Sequence, residues 1–136
     1  MTARGHRSID HTADLALEIW GESEVAVLEQ AAIALTELLM DGGEVVGSER
    51  RTVSLEGLDR EDRLVRWLAE LLWLATGEGF VAARAAVQLH GDGLRAEVAG
   101  AAVAVVQEIK AATYHDVHLA PNETGDEWRA RVVFDV

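Results

Sequence analysis

The chain has 136 residues, 49% of them apolar, and its 24 acidic residues against 12 basic ones give a formal charge of −12. That length and apolar share suffice for a core and suit one compact domain spanning residues 1–136. Cysteine is absent, which excludes a disulfide framework, a thiolate zinc site and a cysteine nucleophile.

Phosphate repulsion makes RNA a poor unaided ligand for so acidic a chain and a basic protein surface a better one, although the same charge also serves solubility. No run reaches the roughly 18 apolar residues of a membrane span. The opening MTARGHRSIDHTAD lacks the apolar stretch of a signal peptide. A soluble, cytoplasmic protein with no membrane partner is the expectation.

In chain order, Leu15, Leu17 and Ile19 alternate with Ala16 and Glu18, the period of a half-buried strand, and Gly21 closes it. Asp14 stands at its start, on the polar phase. Ser23 is placed to cap a helix over 24–40, whose stripe is Leu28, Ala32, Leu35 and Leu39 and whose stop is Gly42-Gly43. A short strand over 52–55 leads to Asp59, the cap of a second helix near 60–76 with the stripe Leu64, Leu68, Leu71, Leu72 and Ala75. Trp67 and Trp73 on that helix read as core or groove anchors. Gly91-Asp92-Gly93 joins two alternating stretches into a hairpin. Residues 101–108 fit a strand, a buried helix or a loop equally well. Residues 110–119 and 128–134 read as two further strands joined by a polar connection over 121–126. The order of strands, helix, strand, helix and strands predicts an α+β fold, with the Asp14 strand and the C-terminal strand in one sheet and their ends close together.

Three short motifs carry chemistry. Asp10-His11-Thr12-Ala13-Asp14 puts carboxylates and an imidazole beside each other, able to bind a metal, to act as acid and base, or simply to satisfy turn amides. Ile109-Lys110-Ala111-Ala112-Thr113-Tyr114-His115 holds the chain's only lysine and only tyrosine. Strand alternation predicts Lys110, Ala112 and Tyr114 on one face and Ala111, Thr113 and His115 on the other. A compact ammonium can fill a role that a guanidinium fork cannot, and His115 taken alone reads as a structural histidine. The last motif, Val132-Val133-Phe134-Asp135-Val136, sets the Asp135 side chain next to the α-carboxylate of Val136, two anions that repel unless a cation or arginine neutralises them. Such hard oxygen donors suit calcium, magnesium or manganese.

Taken together, Asp-His-Thr-Ala-Asp before a strand, Lys-Ala-x-Thr-Tyr-His and a closing Phe-Asp-Val resemble the archease family, in that order and over essentially the whole chain. The resemblance implies an accessory protein without catalysis of its own. Its partner would be the GTP-dependent RtcB-type tRNA-splicing ligase, which the family helps to become guanylylated and to turn over repeatedly; tRNA would be met only through that ligase. It also implies a divalent-metal site at Asp14, Asp135 and Val136, with calcium the first expectation and magnesium or manganese as alternatives. Lys110 matches the family's lysine, and with His11, Tyr114 and His115 it makes the set expected to serve the partner. The competing readings are a small metal-dependent hydrolase built on Asp14, His11 and His115, and a chaperone-like binding module.

Overall fold

The computed structural model describes residues 3–10 and 14–136, with only the backbone of Asp10. Among these residues the order is β1 (Gly5–Asp10), β2 (Asp14–Gly21), α1 (Glu24–Leu39), β3 (Glu49–Glu56), α2 (Arg60–Gly77), β4 (Phe80–His90), β5 (Gly93–Ala102), β6 (Ala111–Ala112), β7 (His118–Pro121) and β8 (Trp128–Asp135). The strands form two antiparallel sheets, and the fold is α+β as the sequence predicts. One sheet runs β1-β2-β8, with both β6 and β7 along the far edge of β8; the other runs β3-β5-β4.

The helices lie between the sheets, and α1 shows why. Its sequence EVAVLEQAAIALTELL is apolar on nearly every side, so that only Glu37 is exposed. A helix with so little polar surface needs cover on more than one face. It packs on β4 of one sheet and on β1, β2 and β8 of the other. Thr36 donates its hydroxyl proton to the Ala82 carbonyl, and the Trp67 indole of α2 donates to the Leu28 carbonyl at 2.8 Å. One continuous core results, drawing on both helices and both sheets. No helix of the described residues is long and apolar enough to cross a membrane.

The helix starts follow local chemistry. Ser23 accepts the Ala26 amide at 3.0 Å and Asp59 accepts the Asp62 amide at 2.8 Å, each satisfying a first-turn donor that the helix itself cannot. Gly91, at φ 59°, supplies the left-handed residue of the β4–β5 turn.

Residues 103–110, beyond the end of β5, form no regular element. The segment instead closes the end of α1 and braces the turn after α2: the Val106 and Gln107 amides both donate to the Leu39 carbonyl at 2.9 Å, and the Val103 amide donates to the Gly79 carbonyl, beyond Gly77, at 3.2 Å. The Leu39 carbonyl, left open at the C-terminus of α1, is thereby paired, which a period in the sequence could not reveal.

The predicted single strand over 110–119 is broken. Ala111 and Ala112 pair with Asp135 and Phe134, and pairing resumes at His118 with Arg131. Residues 113–117 therefore stand opposite only Val132 and Val133 and bulge out of the sheet, turning at Asp116 with φ 51°. Of the two tryptophans on α2, Trp67 is fully buried in the core, whereas Trp73 is 53% exposed.

Candidate metal and partner site

The β2–β8 register places Asp14 directly opposite Asp135. Directly opposed residues of an antiparallel pair have their Cα atoms roughly 4.5–5.5 Å apart and send their side chains to the same face. Two carboxylates thus share one corner of the sheet, Asp14 half-buried and Asp135 exposed. The register is fixed by the other face, where Leu15, Leu17 and Ile19 meet Phe134, Val132 and Ala130 in the core; a slip of one residue would turn this apolar set to solvent. The hydrophobic pattern therefore brings together two like charges that, alone, repel across the pair.

Beside them, Ala111 is paired with Asp135, and the Lys110 amide donates to the Asp135 carbonyl at 2.8 Å. The Lys110 side chain is exposed and its ammonium makes no hydrogen bond or ion pair among the described residues. Val136 follows at 43% exposure. The donor set at this corner is hard oxygen throughout, which suits calcium, magnesium or manganese and leaves most coordination positions to water. Among the described residues no three His, Cys, Asp or Glu side chains gather as ligands, so a cation here would rest on two side-chain carboxylates. His11 lies outside the described residues.

Tyr114 and His115 sit on the bulge. Tyr114 reaches across to α2, where its hydroxyl donates to Asp62 at 2.6 Å. Asp62 also accepts from the Leu58 amide at 2.8 Å and from Arg66 Nε at 2.9 Å. One residue earlier, Glu61 accepts the Leu119 amide at 3.0 Å. The first turn of α2 thus grips the bulge at both ends, while Thr113 ties its amide and hydroxyl to the Val133 carbonyl. His115 is exposed and pairs with Asp116 at 3.3 Å.

Asp62 is the residue that sequence reasoning missed. Its signal, an acidic side chain three places after the Asp59 cap, was available but pointed only to helix capping. The Tyr114 hydroxyl, followed by the Leu58 amide and Arg66, holds the Asp62 carboxyl below its ordinary range, and the Tyr114 phenol is raised in turn by the same carboxylate. Because the folded value is the lower one, this tie is complete above the ordinary carboxylate range and is lost as pH falls through the folded value. Tyr114→Phe should move the Asp62 titration, followed by carboxyl NMR, upward toward the ordinary value. An unmoved titration would remove Tyr114 as its main partner.

Residues 6–136 match the model of the Archease protein family (MTH1598/TM1083). The chain belongs to the archease family. It is 38% identical to the archease of Archaeoglobus fulgidus, covering 96% of this chain and 98% of that one. It is 30% identical to the archease of Methanosarcina barkeri over the whole of both. The archease fold is seen again in the solution structure of protein 1598 of Methanobacterium thermoautotrophicum, with a TM-score of 0.74 and 27% identity over 97% of this chain and 99% of that one. A crystal structure from Thermotoga maritima, of an archease described as a possible chaperone, matches in fold with a TM-score of 0.67 at 24% identity, covering 96% of each chain.

Proposed function

We propose that this archease activates a GTP-dependent RtcB-type tRNA-splicing ligase, promoting its guanylylation and its repeated turnover, and meets tRNA only through that ligase. Asp14, Asp135 and Val136 hold a divalent cation, calcium in the first instance, at the corner presented to the partner. The observation that carries this reading is the Asp14–Asp135 opposition. A fold held by a large apolar core has no need of two anions facing each other at a strand end, and a cation removes the repulsion. The cation, when bound, supplies charge neutralisation and a polarising centre beside a nucleotide. This chain's own contribution is to present the carboxylates in fixed register and to hold Lys110 next to Asp135 through its amide.

The formal charge of −12 supports a basic partner surface, such as a cleft built for nucleic acid. Complementarity of that kind speeds encounter and makes association fall with ionic strength. The exposure of Lys110 supports its approach to a phosphate, with the bulge of residues 113–117 that follows it braced on α2.

The test is ligated RNA formed per ligase over several turnovers, with and without the archease. Lys110→Arg keeps the charge but substitutes a planar, larger group, so stimulation should fall on the order of tenfold while the fold and melting temperature stay unchanged. Full stimulation by Lys110→Arg would show that only positive charge is needed there.

A further inference from the structure

The solvent side of α2 carries Arg66, Ala69, Glu70, Trp73, Thr76 and Gly77. Trp73 stands out, because an indole 53% exposed leaves a large apolar surface in water. It is also seated. A β-carbon built on Gly77 would come within 3.1 Å of the indole Nε1, so the ring lies flat against a glycine that lowers helix propensity in the last turn.

Beyond Thr76 opens a groove of about 390 Å³ lined by Ala75, Thr76, Gly79 and residues 103–106, with Glu108 at its rim. Val106 there is 66% exposed. The amide ties from Val103 to the Gly79 carbonyl and from Val106 and Gln107 to the Leu39 carbonyl hold this groove in shape before anything binds. Glu108 lines the groove, Glu78 adjoins Gly79 of that lining, and Glu70 lies one helical turn before Trp73; all three are exposed, and none has an ion pair or side-chain hydrogen bond among the described residues. The nearest basic side chain on the helix, Arg66, is taken up by Asp62.

An indole face bordered by unneutralised carboxylates is complementary to one kind of group. Guanidinium or ammonium stacks on the ring while the carboxylates meet its charge, and the methylene stem of such a side chain suits a valine-lined groove. Pre-positioned aromatic side chains are also the usual anchors of protein interfaces.

We propose that Trp73, the groove beside it and the carboxylates of Glu70, Glu78 and Glu108 form a docking surface for an arginine- or lysine-bearing segment of a partner protein. This is a second contact, joined to the Asp14–Asp135 corner by residues 106–110. It rests on the activator reading only in taking the ligase as the partner.

The experiment measures binding of the ligase from the same source to the parent protein and to variants, by calorimetry. Trp73→Ala, and separately the combined Glu70→Lys, Glu78→Lys and Glu108→Lys, should each raise Kd about tenfold or more, the usual loss for an interface anchor. Both variants should regain full ligation turnover at saturating concentration, whereas Asp14→Asn should not. Gly77→Ala separates docking from stability: it should raise Tm through helix propensity and yet raise Kd, because its methyl group displaces the indole. Unchanged Kd in the Trp73 and charge variants would overturn the surface and leave the activator reading standing. Absence of any binding by the parent would overturn both.

Discussion

Trp67→Ala is expected to lower the free energy of unfolding by about 3–5 kcal/mol, the range for removing a large buried aromatic side chain. Trp67 is fully buried at the meeting of α2 with α1, and its indole N–H is satisfied by the Leu28 carbonyl at 2.8 Å. Removing it opens a cavity between the two helices that hold the sheets apart, and it leaves the Leu28 carbonyl with one partner fewer. Trp73→Ala, on the same helix but at the surface, should stay within about 0.5 kcal/mol. Urea denaturation of both variants reads the difference directly. Equal losses would mean that α2 packs through another face.

Calcium should stabilise the parent protein and leave the double variant Asp14→Asn, Asp135→Asn unaffected. A ligand at about a hundred times its Kd adds roughly 2.7 kcal/mol to a folded state that alone binds it. Without calcium the order reverses. Opposed like charges cost on the order of 0.2–1 kcal/mol across a strand pair, so the double variant should then be the more stable protein. Thermal melts with and without calcium give both signs in one experiment. A parent whose Tm ignores calcium, magnesium and manganese alike would remove the metal from the account.

What the sequence made legible was what short-range chemistry decides. Ser23 and Asp59 each bond an amide three residues on, so each cap is written next to the turn it closes. The alternation of Leu15, Leu17 and Ile19 fixed which face of β2 is buried, and the same rule in Val132 and Phe134 set the register that opposes Asp14 and Asp135. The break at residues 113–117 was not legible. Thr113-Tyr114-His115 has the composition of a strand, and what pulls it from the sheet is Asp62 and Glu61, some fifty residues earlier on α2. For Trp73, read as a core or groove anchor, helix phase decides: it lies off the stripe of Leu64, Leu68, Leu71, Leu72 and Ala75, on the exposed side of α2, which excludes the core. Residues 101–108 stayed ambiguous because they divide between the end of β5 and a segment whose amides pair with the Leu39 and Gly79 carbonyls, a task with no period.

If the paired carboxylates at the end of β2 and β8 act on a partner ligase, multiple-turnover RNA ligation should depend on Asp14. With limiting RtcB-type ligase, GTP, a divalent cation and excess cleaved RNA, the parent archease should carry the ligase through many turnovers. Asp14→Asn, added at the same saturating concentration and shown to be folded, should leave ligation at the level of the ligase alone. Stimulation by Asp14→Asn equal to that of the parent would contradict the account.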